Sequence, residues 1–356
     1  MGVRTAKHEK EVNLALQGGG AHGAFTWGVL DKIFEDGRLW ITAISGTSAG
    51  AMNAVVAAMG MYDEGGDGAR RALREFWRSV SEAGAASPFK PAPFDMIQGN
   101  WSLDSSPGYL WMDLLNRLAS PYDINPLRLN PLRDLVKNFV DFPKVRGAEA
   151  MEVFISATNV ETGRVRIFTR DEIDLDVVMA SACLPFMYHA VEIDGEYFWD
   201  GGYMGNPVLL PFYDDENAGD DIVIVQINPI NRDGEPRTAR EILNRVNEIT
   251  FNSSLLKELR MIALIDQSVE QGHTELRRRR MNVHMIESRG KMRALSASSK
   301  LNTDWAFLTH LRDIGRASAD RWIRENFDAI GERSTLDLAK LFENLKPAKK
   351  HTPQDH

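Results

Sequence analysis

Two glycine-bearing turns lie close together near the start of this 356-residue chain, Gly18-Gly19-Gly20-Ala21-His22-Gly23 and Gly46-Thr47-Ser48-Ala49-Gly50. Each follows a short apolar run, at residues 12–16 and 41–44, and each leads into a segment with helical periodicity. In residues 24–34 the apolar positions Trp27, Leu30, Ile33 and Phe34 share one helical face, and Asp36-Gly37 closes that helix. Residues 49–59 form a second, very apolar helix. The order strand, glycine turn, helix, strand, tight turn, helix predicts an α/β domain built on a parallel sheet.

Gly46-Thr47-Ser48-Ala49-Gly50 fits G-x-S-x-G, a turn that holds a serine at the sharp junction of a strand and a helix. Gly46, Ala49 and Gly50 are small enough for strand and helix to approach, and the helix N-terminus places partial positive charge beside Ser48. The glycine run can present backbone N–H groups to an anion. A hydroxyl that attacks and donors that hold an oxyanion are the two requirements of acyl transfer.

Gly18-x-Gly20-x-x-Gly23 after a strand also fits a dinucleotide fingerprint. That use needs an acidic residue at the end of the second strand, which here reads Ile44-Ser45-Gly46. Asp31, Glu35 and Asp36 fall within or at the end of the intervening helix, so the oxyanion reading is the better one, with donors near Gly19 and Gly20. For the base, His273, His284 and His310 come late enough in the chain to complete a triad, but none has a distinctive loop context. Asp200 directly follows a strand, and Gly201-Gly202 leaves its backbone room in a crowded site.

Beyond the elbow, residues 68–82 predict a helix through Leu73, Phe76, Trp77 and Val80. The segment from Ser87 to Pro131 carries seven prolines and the aromatics Phe89, Phe94, Trp101, Tyr109, Trp111 and Tyr122, and reads as a cap over a cleft, spanning 87–145. Residues 153–159 and 165–168 predict a hairpin turned at Gly163, and 190–199 another turned at Asp194-Gly195. Residues 222–227 read as a buried parallel strand, with helices over 238–270 and 303–325 and a strand near 283–286 between them. The expected organisation is an N-terminal tail at 1–11, one catalytic domain at 12–330 with a helical extension over 230–330, and a tail at 331–356.

The combination of the glycine run, the Ser48 turn and Asp200-Gly201-Gly202 resembles the patatin-like phospholipases, as do Ala180-Ser181-Ala182-Cys183-Leu184-Pro185 and Asn206-Pro207. The resemblance covers about residues 12–210, with 87–145 poorly matched. It implies a three-layer α/β/α sandwich with a mainly parallel central sheet and a Ser–Asp dyad without histidine. By that resemblance Ser48 is the nucleophile, Asp200 the base, and Gly18, Gly19 and Gly20 the oxyanion hole, supported by His22, Gly23, Gly46, Gly50, Gly201 and Gly202. Where members commonly carry Arg or Lys, this chain has His22, which is mostly neutral at pH 7.

The expected activity is hydrolysis of a lipid or fatty-acyl ester through an acyl-enzyme. An acyltransferase, thioesterase or polyester depolymerase would use the same parts, and a non-catalytic lipid-binding protein is the alternative of another class. No cofactor and no metal are expected, since the chain has one cysteine and no histidine pair at ligand spacing with carboxylates. A net charge of −8 argues against a nucleic-acid partner. Cys183 reads as a packed small hydrophobe. A single cysteine and no apolar run of membrane-spanning length suggest a cytoplasmic protein, with peripheral membrane contact through Arg277-Arg278-Arg279-Arg280 or the aromatics Trp101, Tyr109 and Trp111.

Overall fold

The computed structural model describes residues 8–85, 101–104, 106–108, 111, 119–214, 219–232, 234–272, 280–293 and 295–342. Alternation along the strands sets the architecture. In β1 (Lys10–Leu16), Val12, Leu14 and Leu16 enter one core and Ala15 the other, as a period of two dictates for a strand covered on both faces. In β7 (Asp221–Val225), Val223 and Val225 join the first core, and Ile222 and Ile224 the second.

The first core is covered by α1 (Gly23–Asp36), α2 (Ala49–Gly84) and the helix Trp305–Asn326. The second is covered by the long helix Ala239–Glu270 and by Leu338 and Phe342. The protein is thus a three-layer α/β/α sandwich. With β2 (Leu39–Gly46), β3 (Glu152–Asn159), β4 (Val165–Phe168), β5 (Val191–Ile193), β6 (Glu196–Asp200) and β8 (Asn282–Ile286), the sheet runs β5-β6-β3-β2-β1-β7-β8, and β4 pairs β3. The pairs β3-β2-β1-β7-β8 are parallel; β4, β5 and β6 pair antiparallel on one side.

The hand-over along β3 positions the site. Its first half pairs β2, with Ile155 opposite Gly46, and its end pairs β6, with Ala157 opposite Asp200. Two residues of strand, about 7 Å, therefore separate the level of the elbow from the level of Asp200.

The two helices read over 49–59 and 68–82 are both present within α2, which breaks at Glu64 and Gly65, where Gly65 takes φ +64°, and the second packs closely on the first where Gly60 meets Gly68 and Ala69. The strand read near 283–286 is β8, which joins the sheet parallel to β7 within the segment 230–330. Of the expected tail, residues 331–342 pack on the sheet through Leu338 and Phe342, and 343–356 lie outside the described residues. Of the expected cap, Val136, Val140 and Val145 are buried in the body beside α2, and Trp101 packs on Phe307 at 5.3 Å. Residues 86–100, 105, 109–110 and 112–118 of that stretch are outside the described residues.

The crossing of α1 with Trp305–Asn326 depends on two glycines. A Cβ at Gly28 would collide with the carbonyl of Arg312, and one at Gly315 with the carbonyl of Phe25. Gly28→Ala gains about 1 kcal/mol of helix propensity but forces backbone apart, which typically costs 1–3 kcal/mol or somewhat more. The expected net result is a lower urea midpoint with an unchanged slope, measured by fluorescence.

Candidate active site

Ser48 ends the turn after β2 and caps α2. Its backbone is at φ 53°, ψ −120°, a region that non-glycine residues rarely adopt. Close packing enforces this shape. A Cβ at Gly46 would lie 2.6 Å from the Gly50 carbonyl oxygen, and one at Gly50 would collide with the Leu16 carbonyl. Thr47 Oγ1 anchors the turn by donating to the Gly205 carbonyl at 2.7 Å, and its contact with Ser156 Oγ is also 2.7 Å. Ser48 N–H donates to Ser181 Oγ at 2.9 Å.

Asp200 is fully buried at the end of β6. Its Oδ1 accepts from Gly202 N–H at 2.7 Å, while Oδ2 makes no hydrogen bond of standard geometry among the described residues. Burial pushes its pKa up to about 6, against the opposing effects of the Gly202 N–H, the Ser48 hydroxyl and the Lys300 charge. The Ser48 hydroxyl is thus among the groups that act on this carboxylate. The structure places Ser48 and Asp200 in one site.

The glycine run meets the same place. A Cβ at Gly18 would lie 2.7 Å from Ser48 Cβ. Gly18 N–H, however, donates to Asn206 Oδ1 at 2.6 Å, so it is not a free donor. Of the three glycines, Gly19 and Gly20 are those whose N–H groups have no hydrogen-bond acceptor among the described residues. The Gly18 carbonyl is held as well, by Asn228 Nδ2 at 3.0 Å. Buried Gln17 ties the loop to its surroundings, accepting from the Ile227 and Asn228 N–H groups at 2.8 and 2.9 Å and donating to Asn252 Oδ1 at 3.0 Å.

The histidines are placed elsewhere or are neutral. His22 is buried with Nε2 2.8 Å from Ser299 Oγ, and burial, with the nearby Lys300 charge, lowers its pKa to about 3. His284 is buried between Asp221 Oδ1 at 2.8 Å and Thr335 Oγ1 at 2.9 Å. His310 stacks on Trp101 with ring centroids 6.0 Å apart, and His273 lies outside the described residues. Cys183 is buried and, through burial and the Asp200 charge, its thiol is pushed up to about 12, as fits a packing residue.

Beside Asp200 opens a mainly apolar cleft of about 760 Å³, lined by Tyr122, Thr158, Phe186, Trp199, Tyr203 and Met204 among others. Thr158 Oγ1 donates to the Asp200 carbonyl at 2.9 Å, which ties the cleft wall to the site. Phe186 is 67% exposed at its rim. Of the aromatics expected at a lipid surface, Trp101 is packed inward, Trp111 is exposed and Tyr109 is outside the described residues. Arg277, Arg278 and Arg279 of the basic run are outside them too, and Arg280 pairs with Asp266 at 3.1 Å. Among the described residues no helix is long and apolar enough to cross a membrane.

Sequence reasoning missed Ser181 as a partner of Ser48, Asn206 as a clamp on Gly18, and Lys300 altogether. Ser181 and Asn206 fall in the quoted motif stretches and could have been suspected there; Lys300 has no motif around it.

A family model described as patatin-like phospholipase matches residues 14–213. No curated protein matches the sequence. Among solved structures, the chain is similar to VipD from Legionella pneumophila, with a TM-score of 0.37 and 15% identity over 86% of this chain and 67% of that one. It is also similar to the type III effector ExoU of Pseudomonas aeruginosa, with a TM-score of 0.29 and 14% identity over 88% of this chain and 53% of that one.

Proposed function

The chain belongs to the patatin-like phospholipase family, and on that premise we propose that it hydrolyses a lipid acyl ester with Ser48 as nucleophile and Asp200 as its base. The observation that carries the reading is the left-handed Ser48 elbow against a buried carboxylate with one oxygen unpaired. Ser48 Oγ attacks the ester carbonyl and its proton passes to Asp200. The Gly19 and Gly20 N–H groups take the oxyanion, and the Gly18 clamp holds them in place. Collapse breaks the ester C–O bond, and the leaving alkoxide takes the proton from Asp200. Water, deprotonated by Asp200, then attacks the acyl-enzyme, the bond from the acyl carbon to Ser48 Oγ breaks, and Asp200 returns the proton to Ser48 as the fatty acid leaves.

An unperturbed carboxylate is a weak base for serine, and the raised pKa of Asp200 improves the match. The apolar cleft suits an acyl chain, and exposed Phe186 and Met204 at its rim suit contact with a lipid surface. The test is labelling of the wild-type protein with a fluorophosphonate probe, combined with mass analysis of products released from mixed lipid vesicles. Absence of both labelling and fatty-acid release would sink the proposal.

The dyad excludes an essential histidine. His284→Ala and His310→Ala are expected to keep ester hydrolysis within a few-fold per folded molecule. Only His284→Ala loses stability, by about 1–3 kcal/mol, because it removes buried hydrogen bonds. Measuring kcat alongside thermal unfolding checks both, and a folded histidine variant without activity would overturn the dyad.

A further inference from the structure

The turn Ala297–Leu301 lies beyond the family-matched residues, yet it packs directly on the glycine loop. A Cβ at Gly20 would lie 2.5 Å from the Lys300 carbonyl oxygen, and Ser299 Oγ meets His22. Lys300 Nζ donates to Asn228 Oδ1 at 2.7 Å and sits 5.6 Å from the centre of the Phe251 ring. The same Asn228 donates to the Gly18 carbonyl, so Lys300, Asn228 and Gly18 form one continuous chain.

The charges facing Lys300 are few. Glu248 and Asp200 favour its ammonium form and Arg232 opposes it. Glu248 is already paired with Arg232 at 2.7 Å and Arg245 at 3.2 Å. Among the described residues no carboxylate lies within ion-pair distance of Lys300, and Asp200 is the facing carboxylate without a cation of its own. His22, the other basic group of the loop, is neutral.

We propose that Lys300 is the electrostatic positioning residue of this site: its ammonium charge faces the Asp200 carboxylate, and through Asn228 it holds the glycine loop with Gly19 and Gly20 turned to the substrate. The inference rests on the Ser48–Asp200 reading. Without the charge at Lys300, Asp200 binds its proton more tightly, so a smaller fraction of it is ionised at neutral pH, and the glycine loop loses the cation that holds it. Burial lowers the pKa of Lys300 itself to about 8. Of the other groups around Asp200, Cys183 and Tyr203 are pushed up to about 12, mainly by burial, and His22 is held near 3. Loss of charge near pH 8 therefore reports on Lys300.

The experiment is the pH profile of kcat/KM for p-nitrophenyl butyrate, a neutral soluble ester, with the full chain. The wild type is expected to give a bell with limbs near 6 and 8. Lys300→Met is expected to move the acid limb upward, remove the alkaline limb and lower kcat about tenfold at pH 7, with KM little changed. Lys300→Arg, always charged, is expected to recover activity at pH 7 and also lack the alkaline limb. A Lys300→Met profile superimposable on wild type, or a limb near 8 that persists in Lys300→Arg, would overturn the inference. If Lys300→Met does not fold, as judged by circular dichroism, the Lys300→Arg profile decides alone. A wild type that neither hydrolyses the ester nor takes a fluorophosphonate label sinks the dyad and this inference together; an active wild type with unshifted Lys300 variants sinks only this one.

Discussion

Ser48→Ala is expected to lower kcat for ester hydrolysis by about four to six orders of magnitude, the scale seen when a serine nucleophile is removed. It is expected to abolish fluorophosphonate labelling, and the protein stays folded. The fold survives because the Ser48 side chain makes no capping bond to its helix; what the turn uses is the Ser48 backbone, held by Ser181 Oγ and by the Gly46 and Gly50 contacts. Alanine at φ 53° carries the same backbone strain as serine. Glycine does not, so Ser48→Gly is expected to be equally inactive but more stable by about 1–2 kcal/mol, within the range for a relieved left-handed residue. Intact-mass analysis after probe treatment and thermal unfolding of the three proteins check this. A labelled Ser48→Ala, or a glycine variant less stable than wild type, contradicts the elbow as described.

Asp200→Asn is expected to lose hydrolysis by about 10³–10⁴-fold and yet unfold at a higher temperature than wild type at pH 7. Asparagine keeps an oxygen to accept the Gly202 N–H but cannot take the serine proton. The sign of the stability change follows from the raised pKa. The folded protein holds the Asp200 proton more tightly than the unfolded chain does, so its contribution is fully favourable below about pH 4, the unfolded value, and is lost as pH rises through about 6. At pH 7 the buried carboxylate is ionised at a cost of about 3 kcal/mol, which the neutral amide avoids. The stability gap between Asp200→Asn and wild type should therefore be large at pH 7 and vanish toward pH 4. Differential scanning calorimetry across that range measures it. A gap that is constant with pH means that Asp200 is not held in its ionised form against its preference.

The elbow, the glycine run and Asp200 were all legible in the sequence because each is a local pattern with a mechanical requirement. A strand that must turn sharply into a helix needs small residues on both sides, and Gly46, Ala49 and Gly50 announce that need. Short, nearly continuous apolar runs made β1 and β7 legible as buried strands. Donors near Gly19 and Gly20 were already read from the sequence, but the clamp on the Gly18 N–H was not legible, since Asn206 lies far along the chain. The break in α2 was legible as the gap between two expected helices, but the close approach of Gly60 to Gly68 and Ala69 was not.

By itself, the sequence determined the order of elements and the three motifs of the site, because these depend on contacts between near neighbours and on side-chain size. Tertiary structure alone decided which donors are free, how far Asp200 is desolvated, and that Lys300 faces it. Those properties depend on packing between segments a hundred residues or more apart, and no local pattern encodes where a distant charge or a buried amide comes to rest.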